Sequence, residues 1–351
     1  MRKIILFLVT CITCNACVSK SGDESSDKNS QDSTLTNVDV NRVLVAEHVR
    51  IGDLYYNLYE GTYRTAEVTY REKWSCNEEL STVDIPSSVE YYGGHTYSVT
   101  SIGEYAFYKC YFLTSITIPN SVTSIEKDAF TECSRLTSVT IGDSVISIGD
   151  HAFIRCSNLK SVTIPNSVTS IGEYAFGGCS SLTSVIIPNS VTSIGMCAFE
   201  GCSRIKSITI PNRITNIEYG TFARCSGLRN IIIPNSITSI GGRSFYDCYS
   251  LTNITIPNGV TSIGEAAFSF CTGLTSIIIP NSVTSIENYA FDRCDDLKSV
   301  VSEAINPPTC GYQAFPRLLY QTLYVPEESI DAYKKAKVWR EFSDIQELLH
   351  S

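Results

Sequence analysis

Histidine, tryptophan and methionine are nearly missing, at four, two and two residues in a chain of 351. His48, His95, His151 and His350 are scattered, none lies in HExxH, and no serine lies in G-x-S-x-G. The usual marks of zinc and serine hydrolases are therefore absent. Neither D-x-D-x-D-G nor G-G-x-G-x-D occurs, so no recognised calcium loop is present. No apolar run approaches the roughly 18 residues of a membrane-spanning helix. Charge is sparse, at 18% of residues, and acidic in balance, with a net −9. Without a dense Lys/Arg run, this argues against non-specific nucleic-acid binding. Cys11, Cys14 and Cys17 have a metal-like spacing, but no histidine or second pair accompanies them. Glu104, Asp150, Glu173 and Glu265 fall in one repeating row instead of the facing pair that a glycosidase needs. We expect no catalytic residue, no metal, no cofactor and no nucleic-acid partner.

What is abundant is periodic. Phe107, Phe130, Phe153, Phe176, Phe199, Phe222, Phe245, Phe268 and Phe291 recur with a constant 23-residue period. Three residues after each stands a cysteine: Cys110, Cys133, Cys156, Cys179, Cys202, Cys225, Cys248, Cys271 and Cys294. Self-similarity at such a period means one small unit copied and stacked, with equivalent residues forming columns along a solenoid. In the unit beginning at Leu182, the alternation Leu182, Val185, Ile187 predicts a short strand ending at Pro188, because proline brings no ladder N–H. Val191 and Ile194 predict a second short extended piece, and Ala198-Phe199 an irregular turn. Six buried side chains at roughly 1.5–3 kcal/mol each do not offset the ordering of a whole unit at about 1–2 kcal/mol per residue. One unit cannot fold alone, and stability must come from stacking.

Fifteen cysteines would ordinarily suggest a disulfide framework. Nine of them, however, share one place in successive coils, with parallel Cβ vectors about 4.8 Å apart. Disulfides need Cβ atoms about 3.5–4.5 Å apart and turned toward each other. We expect these nine to be buried thiols that bond loop carbonyls, the alternatives being neighbouring disulfides or a metal ladder. Cys76, Cys197 and Cys310 lie off this column.

Outward strand positions run from Ser115/Thr117 to Ser276/Ile278, a hydroxyl-rich face with isoleucines at Ile186, Ile232 and Ile278. Its residues suit strands by propensity alone, and such a face also suits docking. Variation concentrates on the turn beside each Ala-Phe pair. There Tyr105, Tyr108, Arg155, Tyr174, Arg224, Tyr246, Phe270, Tyr289 and Arg293 are of the types that dominate binding hot spots. These nine are the candidate ligand contacts.

The string L-x-x-[IV]-x-I-P-N-S-V-T-S-I-G-x-x-A-F-x-x-C resembles the BspA-like leucine-rich repeats. Val83–Val89 and Ser98–Gly103, around an inserted Glu90–Tyr97, are similar to that family's entry module. Leu323-Tyr-Val-Pro326 and Ile330–Phe342 are similar to its exit and closing helix. The resemblance implies a β-rich solenoid: a leucine-rich repeat array of about nine 23-residue coils, with a β-type N-terminal cap and a short helical C-terminal cap. Its boundaries fall at 38–98 for the N-terminal cap, 99–305 for the array and 306–351 for the C-terminal cap. It also implies a non-enzymatic cell-surface protein, an adhesin for host matrix or plasma proteins or for other cells. A glycan-binding accessory lipoprotein and a structural spacer are the alternatives.

Arg2-Lys3 followed by the apolar Ile4–Val9 reads as a secretory signal. Residues 1–17 are similar to a bacterial lipoprotein signal peptide in which Cys17, after small Ala16, is the lipidated residue. Residues 18–37 are too polar to repay ordering and read as a tether. Gly22-Asp23-Glu24 resembles an export tag, and the expected location is the outer membrane, facing outward.

Overall fold

The computed structural model describes residues 42–71, 80–315 and 321–348. The expected signal segment (1–17) and tether (18–37), with Cys17 and Cys76, lie outside the described residues. The chain enters through an antiparallel meander, β1 (Val43–Ile51), β2 (Leu54–Glu60) and β3 (Thr65–Thr69). β4 (Thr82–Asp84) pairs in parallel with Ser115–Thr117 and opens one strand column. β5 (Ser88–Tyr91) forms a hairpin with β6 (His95–Ile102). β6 lies between β3 and Ser124–Ile125 and so joins the meander to a second column.

From there the chain winds, with about eleven turns in all. Each coil has three sides. The first is a strand of three or four residues in parallel register, as where Ser138–Thr140, Ser161–Thr163 and Ser184–Ile186 pair at intervals of one repeat; at 253–255 it is reduced to a single bridge from Thr255 to Ile278. Its central Val162 is buried while Ser161 and Thr163 face outward, as the period-2 alternation predicts. The second side is a two-residue strand such as Ser147–Ile148, again paired in register with the coils before and after it.

The third side is a turn whose amides alternate in purpose. His151, Phe153 and Arg155 donate to Glu173, Ala175 and Gly177 of the next coil at 2.7, 2.8 and 2.6 Å. Ala152, Ile154 and Cys156 donate back within the turn, to Gly149, His151 and Phe153. Alternation on this scale takes left-handed backbone at two places per coil, His151 (φ 57) and Arg155 (φ 58) here. The turn is thus a third inter-coil ladder, although it forms no strand.

Inside, the phenylalanine rings stack face to face with centroids 4.9 Å apart at Phe130–Phe153 and 5.9 Å at Phe199–Phe222. Such pairs add about 0.5–1.5 kcal/mol beyond burial. Phe315 extends the ladder as a tenth ring, 5.1 Å from Phe291, after an interval longer by a single position than the others. Trp339 and Phe342 then close it at tilted or edge-on angles. The indole N–H of Trp339 donates to the Pro308 carbonyl at 2.7 Å. The closing helix does not run the whole of Ile330–Phe342: α1 (Ile330–Tyr333) makes one turn and a 3₁₀ turn follows at Trp339–Glu341. Val338, with φ 71, interrupts the helical path between them.

The thiols behave as expected, with one correction. Cys133 to Cys294 are free and buried, and each donates its S–H to the phenylalanine carbonyl 26 residues earlier, as Cys156 does to Phe130 at 3.2 Å. The expectation of nine free thiols fails at the first, because Cys110 is disulfide-bonded to a cysteine outside the described residues. Cys110 belongs to the first described turn of the ladder, and the residue 26 positions before it, Asp84, lies in the strand column opposite Thr117 and not in a preceding turn.

Between the coils of Phe199 and Phe222 both strand columns are interrupted. Ser184–Ile186 does not pair with Ser207–Thr209, nor Ser193–Ile194 with Asn216–Ile217. The turn ladder continues across this seam, with Cys197, Phe199 and Gly201 donating to Tyr219, Thr221 and Ala223.

Candidate functional site

The variable turn positions form a ridge along the third side. Seven of the nine candidates occupy the left-handed positions themselves: Tyr105, Arg155, Tyr174, Arg224, Phe270, Tyr289 and Arg293, with φ between 50 and 62. Tyr108 and Tyr246 stand in the intervening turn. A side chain at such φ costs about 1–2 kcal/mol relative to glycine, yet glycine fills only Gly178, Gly201 and Gly220 along these columns.

Those glycines divide the ridge into two clusters. In the first, Tyr105 and Tyr108 meet edge to face at 5.6 Å, and the Lys109 ammonium lies 4.9 Å from the Tyr108 ring. Glu132 pairs with Arg155 at 3.1 Å and with Lys109 at 3.8 Å. His151 stacks on Tyr174 at 5.5 Å. The Cys197 thiol beside the Tyr174 hydroxyl, together with burial, raises that phenol's pKa. A concavity of about 330 Å³ opens among Tyr105, Tyr108, Asp128, His151 and Arg155. The ion pairs are exposed and contribute little to stability, so they position side chains more than they hold the fold.

In the second cluster, the Arg243 guanidinium lies 6.0 Å from the Tyr219 ring and 5.7 Å from Tyr246. Tyr246 meets Phe270 edge to face at 5.4 Å, and Arg293 lies 6.0 Å from Phe270. Tyr289 and Tyr312 meet at 5.6 Å. Arg224 belongs to neither cluster and pairs with Glu200 at 3.1 Å across the glycine gap. Residue-type reasoning missed Lys109, Glu132, His151, Tyr219, Arg243 and Tyr312. For Lys109, Glu132, His151 and Arg243 the repeat columns shared with the named candidates were the available signal, whereas Tyr219 and Tyr312 stand one position before such a column. Among the described residues, no three His, Cys, Asp or Glu side chains converge as metal ligands.

The family profile of the BspA type Leucine rich repeat region matches residues 100–228 and 192–318, with six copies. No curated protein matches the chain. Among solved structures, a leucine-rich repeat protein from Bacteroides ovatus ATCC 8483 is 31% identical, with a TM-score of 0.72 over 86% of this chain and 76% of that one. The T. pallidum Leucine Rich Repeat protein is 28% identical, with a TM-score of 0.51 over 59% of this chain and 92% of that one.

Proposed function

Because the chain belongs to the BspA-type leucine-rich repeat family, we propose that it is a non-enzymatic binding protein that works as an adhesin at the cell surface. It engages a partner protein of host matrix, plasma or another cell along the turn-side ridge. Acylated Cys17 anchors it to the outer membrane, and the polar stretch after Cys17 holds the array away from the lipid. One observation carries the ridge assignment: tyrosine, arginine and phenylalanine occupy left-handed positions where glycine would be less strained. Retained strain of this kind concentrates at binding sites. The contacts are preorganised by the ladder, so docking orders little additional chain.

The test uses that strain. Arg243→Gly and Phe270→Gly each remove a ridge side chain and relax a left-handed residue. Against a panel of matrix, plasma and cell-surface proteins, the wild type binds saturably in surface plasmon resonance, and the double variant binds at least about ten-fold more weakly. Arg243→Gly alone gains about 1 kcal/mol in urea unfolding. Absence of saturable binding by the wild type would leave the spacer reading in its place.

A further inference from the structure

The chain is acidic as a whole, yet one longitudinal band of its surface is basic. Lys160, Lys206 and Arg229 occupy a single column just before the outward strand, at whole multiples of the repeat period. The backbone shows the alignment, since the Arg229 N–H donates to the Lys206 carbonyl at 2.9 Å and Thr183 to Lys160 at 3.1 Å. Arg135 and Arg204 share the adjacent column, three repeats apart. All five are exposed, and none joins an ion pair among the described residues. No acidic residue enters either column between Phe112 and Thr275. The band covers four inter-coil steps, about 19 Å at the usual strand spacing.

Beside the band lies the outward strand face, which carries no charge from Ser115/Thr117 to Ser276/Ile278. Asn189, Asn212 and Asn235 continue it past the prolines as a row of exposed amides, with Arg213 next to them and Asp143 the acidic exception. Hydroxyls and amides both donate and accept, as sugar hydroxyls do. We infer that this face binds a linear anionic polysaccharide lying along the stack, its sulfates or carboxylates on the basic band and its hydroxyls over the Ser/Thr/Asn rows. Charge complementarity selects an anion, and the neutral hydrogen-bonding rows select a polyol. Single-stranded nucleic acid would need aromatic platforms along the band for its bases, whereas the exposed aromatics here stand only beyond its two ends, Tyr111 and Phe112 at one and Tyr249 at the other, with the Arg135 guanidinium 5.7 Å from the Phe112 ring. An extended acidic peptide adds to an open strand edge, whereas Ser138–Thr140 and Ser161–Thr163 are paired on both sides and the unpaired edges at the seam face the adjoining coil. The site is separate from the ridge and does not depend on it.

A size-defined, fluorescently labelled heparin oligosaccharide and the full chain, followed by anisotropy across a sodium chloride series, test the assignment. Saturable binding that weakens with salt is expected. Lys206→Glu/Arg229→Glu should lower affinity at least about ten-fold and reduce the salt slope by about two released counterions. Lys206→Gln/Arg229→Gln should do the same to a smaller degree, with circular dichroism unchanged in both variants. The ridge double variant Arg243→Gly/Phe270→Gly should bind heparin as the wild type does, so the two surfaces fail or stand separately. Three outcomes would each overturn the inference: no saturable binding at low salt, affinity unaffected by both pairs, or equal affinity for polyglutamate or single-stranded DNA of matched charge.

Discussion

A cysteine at each ladder position answers two demands that no other residue meets together. The site is dry and small, and it faces a phenylalanine carbonyl that already accepts one amide, as Phe130 does from Cys133. The thiol of the next coil occupies the remaining lone pair, Cys156 at 3.2 Å, while its weakly polar body costs little to bury. Burial pushes the Cys179, Cys225 and Cys271 thiols up to about 12 from an ordinary 9.0, and raises Cys156, Cys202, Cys248 and Cys294 as well. The folded state therefore keeps protons that the unfolded chain gives up above about pH 9. Stability should be level below that value and fall as pH rises toward 12, by up to about 1.4 kcal/mol per pH unit for each fully shifted thiol. Urea midpoints at pH 8, 9.5 and 10.5 read this directly, and a flat profile would remove the buried-thiol account.

At the level of strands and turns, the coils divide their labour unevenly. Two strand columns are interrupted between Phe199 and Phe222 while the turn ladder is not, and the ring spacing there is the widest in the stack at 5.9 Å. Gly195 and Gly241 donate to the preceding coil at 2.8 Å, but Glu218, the equivalent residue at the seam, makes no such bond. Hydrogen exchange followed by NMR should show the Thr215 and Glu218 amides exchanging at least about ten-fold faster than Thr192, Gly195, Thr238 and Gly241. Equal protection would mean the seam closes in solution. The seam was not legible in the sequence, because the columns at Ile208 and Ile217 keep their apolar residues and pairing depends on sub-ångström spacing. What was legible rests on burial: the strand at Ser184–Ile186, the second strand at Ser193–Ile194 and the phenylalanine ladder all follow from period and alternation. The left-handed ridge was not, since arginine, tyrosine and phenylalanine carry no preference for that backbone; the hydrogen-bond alternation of the turn imposes it. Columns of charge were overlooked for a different reason. Arg135 and Arg229 lie some four repeats apart in the chain and come to share one band of the surface only after winding.

For the molecule as a whole, nearest-neighbour stacking implies that coils are interchangeable parts. Excising Leu159–Ser181, a whole repeat, should set Phe153 against Phe199 and leave a folded, shorter array of lower stability. Excising Leu159–Ser180 instead shifts every later inward residue by one place, and the product should lose its cooperative melting transition. Circular dichroism and small-angle scattering of the two products distinguish these outcomes, and equal folding would contradict register as the organising constraint. The same interchangeability creates a hazard at the ends. A bare terminal ring would offer the next molecule the surface that one coil offers another, a head-to-tail contact that never closes on itself and so propagates into fibres. The oblique Trp339 and Phe342 deny any incoming ring a parallel seat on Phe315. Those two aromatics, together with the last strand Asp344–Glu347 on Thr322–Val325, should therefore oppose end-to-end growth.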